Sequence, residues 1–164
     1  MALITQTVLA KAAIAVNGMG KTERVQLADE VFAHQPNVLA SVLVLQRMGA
    51  SLQQIDVPMH ILLVAYQAMK TPGHIWPVIL EDTQEVCLRR LTGRVRFAKG
   101  LPRQSMQQYI NERYRLAFAY GHLRDYDLLG ARTEAERFLL LATLNLVECI
   151  ACAGAQARPA PPSP

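Results

Sequence analysis

Residues 134–153 read EAERFLLLATLNLVECIACA: three charges in the opening turn, then a run that is apolar on nearly every side of a helix. A helix of that kind cannot rest on a surface, because other elements must cover it all round. Residues 36–48 and 59–69 approach the same condition. Elsewhere apolar residues recur at helical spacing, and few stretches alternate as strands do. The sequence therefore predicts an all-α protein, a single compact helical domain of six or seven helices around three highly apolar central ones. Its expected extent is 1–153, followed at 154–164 by a disordered Pro-rich C-terminal tail, since GAQARPAPPSP holds four prolines. A dimer would cover one of the central helices by another route, against its twin, so a homo-oligomer is as open as a monomer.

Local signals place the boundaries. A first helix is expected over about 3–16, closed by NGMG, where Asn17, Gly18 and Gly20 tolerate left-handed backbone. A second runs from Thr22 to His34 with Val25, Ala28, Val31 and Phe32 on its apolar stripe. Pro36 suits the first turn of a third, where its missing N–H has no helical partner, and Gly49 ends it. Ser51 with Gln54, Ser105 with Gln108 and Thr133 with Glu136 have capping-box spacing. Pro58 marks either the first turn of the fourth helix or a kink inside it. Pro77 is expected to open a helix to about Leu91, stopped by Thr92 and Gly93. The segment RVRFAKGL then alternates, with Val95 and Phe97 opposite Arg94 and Arg96, and reads as a short extended piece or a loop. The helix opened by Ser105 is expected to reach about Gly121.

Composition narrows the setting. Apolar residues make up 51% and charged residues 18%, the reverse of a disordered chain. Three cysteines cannot close into a full disulfide set, which favours a reducing, cytoplasmic compartment. The N-terminal apolar run has no basic stretch before it and is interrupted by Lys11, unlike a secretory signal. No apolar run in the sequence approaches the roughly 18–20 residues that a bilayer requires, so no membrane partner is expected.

Several chemistries are weak on these residues. Cys149 and Cys152 form CIAC, but near the C-terminal end of a predicted helix, where the dipole disfavours a thiolate, so they read as small buried side chains. Cys87 sits mid-helix without a local base. No two of His34, His60, His74 and His122 stand at helical ligand spacing, and His60 reads as a core-edge residue, so neither metal nor cofactor is expected. Glu81, Asp82, Glu85 and Arg89 lie three and four apart, as in an ordinary surface ladder. A hydrolase-type enzyme using Glu81, Glu85 and His74 beside Trp76 is the least favoured function, and no catalytic residue is assigned. GKT at 20–22 lacks the glycine spacing and the preceding strand of a phosphate loop. Asp125 and Asp127 offer too few oxygens for a cation.

What stands out instead is charge. Residues 89–124 hold nine of the 17 Lys and Arg but one of the 13 carboxylates, a net +8 against −4 for the rest of the chain. Internal pairing can absorb only part of that surplus. Arg89, Arg90, Arg94, Arg96, Lys99, Arg103, Arg113 and Arg115, with Tyr109, Tyr114 and Tyr120 interleaved, are the candidate partner-binding residues. The expected function is a non-enzymatic binding module, a regulator, adaptor or inhibitor, that engages an acidic protein through this basic face. Nucleic acid gripped by its backbone is the alternative partner, although no helix-turn-helix, finger or RNA-binding sheet is legible.

Overall fold

The computed structural model describes residues 3–70, 73–98, 114–162 and 164, including side chains except those of 94–98, 114–117 and 120. Among the described residues seven α-helices follow one another: α1 (Gln6–Asn17), α2 (Lys21–His34), α3 (Pro36–Leu43), α4 (Leu52–Met69), α5 (Glu81–Ala98), α6 (Tyr114–Asp125) and α7 (Glu134–Gln156). A 3₁₀ turn, Val44–Gln46, extends α3. Strands β1 (His74–Ile75) and β2 (Arg158–Pro159) form a two-residue antiparallel pair. The chain is an all-α helical domain.

Two helices organise the packing. On α4, Ile61, Leu62, Leu63, Val64 and Ala65 are all buried in succession, so this helix is covered on every side. It touches α1, α2, α3, α6 and α7. The buried face of α7 carries Leu139, Thr143, Leu146, Val147 and Ile150, against which α3, α4, α5 and α6 pack. The third helix expected at the centre lies at the rim instead. Val38, Leu39 and Val42 point inward from α3, but Leu43, Val44 and Met48 are exposed. Contrary to the sequence expectation, α7 is long and apolar enough to cross a bilayer, with a mean hydropathy of 1.9 over an 18-residue window that is 44% buried within the fold.

The end signals act through identifiable bonds. Ser51 Oγ accepts from the Gln54 amide at 3.1 Å and Gln54 Oε1 accepts from the Ser51 amide at 3.0 Å, the reciprocal box expected at the start of α4. Pro58 lies inside that helix, beyond its first turn. At α7 only half the box forms: Thr133 accepts from the Glu136 amide, while the Glu136 carboxylate reaches one residue further back, to the Arg132 amide at 2.8 Å. Gly49 ends the 3₁₀ extension at φ +101°, and the Ala50 amide reaches back to Leu45 O at 3.0 Å across it. That left-handed residue is where glycine avoids a Cβ penalty. Asp127 occupies the equivalent place after α6 at φ 55°, with the Leu128 amide on Leu123 O at 2.8 Å. Asp127 also pairs with Arg132, and Asp125 with Arg124, so these aspartates serve the turn.

Elsewhere the structure departs from the sequence reading. NGMG does close α1, but with negative φ at Gly18 and Gly20: the Gly18 amide bonds Ile14 O and the Met19 amide bonds Val16 O, both at 3.1 Å, and Arg24 Nη2 also donates to Val16 O at 3.3 Å. On α2 the core positions are Leu27 and Val31, whereas Val25 and Phe32 are 53% and 67% exposed. Pro77 does not open a helix. Residues 76–80 run without helical bonding and are held by Gln35, whose Nε2 donates to Pro77 O at 2.9 Å while its Oε1 accepts from the Ile79 amide at 2.8 Å. Asn37 adds a bond to Ile79 O at 3.1 Å. The following helix begins at Glu81 and passes through Thr92 and Gly93 to Ala98, so 94–98 is helix, neither strand nor loop. Thr92 Oγ1 bonds the carbonyl of Leu88 one turn back, which lets it sit inside a helix. The helix after it runs past Gly121 to Asp125, while its proposed Ser105–Gln108 box lies outside the described residues.

Part of the segment expected as a tail is helix and strand. The last helix continues to Gln156, and Arg158 and Pro159 pair with Ile75 and His74, a contact extended by the Ala160 amide on Gly73 O at 2.9 Å. Trp76 crosses over Gly154 here. A Cβ at that position would sit 3.1 Å from the Trp76 ring, so the absence of a side chain makes room for the indole.

Candidate functional site

The basic segment starts on α5 and re-enters the described structure on α6, and both helices rest on α7. Arg89 and Arg90 are exposed on α5; Arg89 pairs with Glu85 one turn earlier, the ladder its spacing predicted. Arg94 and Arg96 belong to the last turns of α5 and Arg115 to the first turn of α6, their side chains being outside the described set. Lys99, Arg103, Tyr109 and Arg113 lie outside the described residues altogether. At the far end, Arg124 pairs with Asp125 at 3.3 Å.

The residues considered for catalysis are dispersed. His74 is exposed on β1 and Glu81 is exposed at the start of α5. Glu85 edges a small apolar groove of about 350 Å³ between α3, α5 and α7, which neither His74 nor Glu81 lines. In that groove the amide Nδ2 of Asn145 donates to Gln84 O, while its Oδ1 is buried without a partner.

A larger groove, of about 810 Å³, opens between the start of α2, the first half of α4 and the end of α6. It gathers Lys21 and Arg24 from α2, Asp56 and His60 from α4, and His122 and Tyr126 from α6 or its end. The two imidazoles lie 5.0 Å apart between ring centroids, and the Phe118 edge meets His122 at 4.8 Å. The Arg24 guanidinium is fixed by its bond to Val16 O, and its Nε is buried without a partner. Asp56 is the one carboxylate among the described residues lining the groove. The local balance is therefore cationic.

Burial first, then His122 and then Arg24 hold His60 below the ordinary imidazole value; burial lowers His122 as well, against the pull of Asp125. Both rings are neutral at pH 7. In the unfolded chain they would take up protons first, so stability falls as pH drops from about 7 through the depressed folded values. Thermal unfolding should show this as a lower Tm near pH 5 than near pH 7, with the difference reduced in a His60→Asn, His122→Asn double variant. An unchanged difference would mean that other groups set the pH dependence.

No family model, curated protein or solved structure matches the chain. The groove's own geometry therefore carries the functional argument. Sequence spacing missed it, because His60 and His122 belong to helices far apart in the chain and Lys21 and Arg24 lie outside the strongly basic segment. The GKT stretch opens α2 directly after α1, with no strand before it among the described residues, yet its Lys21 still lines the groove. Among the described residues no group of three or more His, Cys, Asp and Glu is placed to hold a metal ion.

Proposed function

We propose that the protein is a non-enzymatic binding module that engages an acidic protein partner, seating a carboxylate in the groove of Lys21, Arg24, His60 and His122. His122, on the groove, belongs to the basic segment 89–124, whose net positive charge would supply an attractive field that steers association. The observation that carries the reading is the convergence of these four side chains on one concavity of about 810 Å³. A partly desolvated guanidinium with an unused buried N–H favours a charged acceptor, and such bonds are stronger than neutral ones. An arriving carboxylate would also favour protonation of the imidazoles, adding donors.

The rest of the lining speaks for a polypeptide. Val25, Met59 and Leu63 form apolar walls beside the cations, which suits an acidic side chain adjacent to an aliphatic one. A phosphodiester backbone offers nothing to such walls. A short fluorescent peptide of alternating glutamate and leucine is therefore expected to bind at least about tenfold more tightly than its lysine counterpart, a difference of about 1.4 kcal/mol. Binding should weaken as salt rises, and Arg94→Glu with Arg96→Glu should weaken it further. Preference for duplex DNA over the acidic peptide would overturn the reading in favour of nucleic acid. Absence of binding to either would overturn it altogether.

A further inference from the structure

The three cysteines, separated in sequence, meet at the contact between α5 and α7. Cys87 is buried on α5, Cys149 is buried on α7, and Cys152 is half-buried one turn further along the same helix. The Sγ atoms of Cys87 and Cys152 are 3.5 Å apart. The Cys87 thiol donates to the Cys152 sulfur across the two helices, and among the described residues no metal-binding group of His, Cys, Asp and Glu includes them.

We propose that Cys87 and Cys152 are a modification site, a dithiol that a hydroperoxide oxidises to a disulfide joining α5 to α7. Closing the bond brings the sulfurs from 3.5 Å to about 2.05 Å, a small movement for side chains already in contact. Cys152 is the residue oxidant can reach, since it is the least buried of the three. Burial first, then Cys87 and Glu148, hold the Cys152 thiol above its ordinary value against the weaker pull of Arg90, so the reaction is slow. The Cys152 thiolate attacks one peroxide oxygen; an S–O bond forms as the O–O bond breaks, and the departing oxygen takes a proton and leaves as water. Cys87 then gives up its proton and attacks the sulfenic sulfur. The S–S bond forms, the S–O bond breaks, and a second water leaves. Two thiols and one hydrogen peroxide thus become one disulfide and two waters.

Cys149 stays outside this exchange. Burial and the adjacent Cys87 push its thiol far above the ordinary value, so it remains protonated. Arg89 and Arg90 follow Cys87 on α5, so the disulfide would also fix the root of the basic segment. That consequence rests on the proposed function; the disulfide itself does not.

Purified reduced protein should be treated with equimolar hydrogen peroxide and its intact mass measured. The expected product is lighter by two hydrogens, with a peptide map linking Cys87 to Cys152 and a Tm raised by roughly 10 °C, given the long loop that the bond closes. Cys87→Ala and Cys152→Ala should each abolish this product, while Cys149→Ala keeps it. A wild-type map showing only added oxygen, or a link between Cys149 and Cys152, would overturn the proposal. That map needs no variant to fold.

Discussion

Replacing Gln35 by alanine is expected to cost about 2–4 kcal/mol of stability, a large share of what a domain of this size has. Gln35 is 3% exposed, and its amide serves two backbone groups of the 76–80 segment, donating to Pro77 O and accepting from Ile79 N–H. The side chain thus mimics one rung of a sheet ladder for a stretch that has no sheet. Without it, a part-buried carbonyl and a buried amide lose their partners, the amide costing about 1–3 kcal/mol and the carbonyl less, before water enters the space. Ile79, itself 2% exposed, would lose the anchor that keeps it in the core. Gln35→Glu is the sharper comparison. A carboxylate still accepts from the Ile79 amide but cannot donate to Pro77 O, so it should destabilise at least as much as alanine. Urea titration of the three proteins reads both effects; a loss below about 1 kcal/mol for Gln35→Ala would show that the clamp is dispensable.

That clamp also illustrates what the chain discloses before it folds. Features set by neighbours in sequence were legible. The Ser51–Gln54 box, Pro36 at a first turn and Gly49 at a helix end all lie within a few residues of the groups they satisfy. The all-round apolar character of 59–69 and 137–152 likewise led to two helices that others surround. Features that join distant residues were not legible. Gln35 bonds to atoms more than forty positions away, and nothing in its surroundings distinguishes it from a solvated glutamine. Cys87 appeared isolated because its partner is 65 residues on. His60 was read as a core-edge residue, and only the packing of α6 against α4 sets it beside His122. The extent of α5 was misjudged because Thr92 and Gly93 look like a stop. A glycine inside a helix costs roughly 1 kcal/mol, which burial of Cys87 and Leu91 against neighbouring elements offsets. Of the basic face, the helical setting of Arg89, Arg90, Arg94, Arg96 and Arg115 is established, and its role is proposed.

The second large effect concerns that role. Arg24→Glu should weaken binding of the glutamate–leucine peptide by about a hundredfold or more, about 2.7 kcal/mol. Arg24 is the groove's most constrained cation, tied to Val16 O and carrying a buried N–H with no partner in the free protein. Truncating one member of a desolvated charge pair commonly costs 2–5 kcal/mol, and reversing its sign adds repulsion. Since Arg24 also closes the end of α1, some loss of stability is expected alongside. Lys21→Glu separates the two effects. Lys21 is exposed in the first turn of α2, where a carboxylate is favoured by the helix dipole, so the fold should tolerate the change while affinity falls about tenfold.

The most direct measurement is the set of peptide-binding isotherms for the native protein, Lys21→Glu and Arg24→Glu, taken at low and at physiological salt after circular dichroism has shown each to be folded. The account predicts a graded loss, about tenfold and then about a hundredfold, with the native protein the most salt-sensitive of the three. Three coincident isotherms would contradict it, because the acidic partner would then be held somewhere other than the groove between α2, α4 and α6.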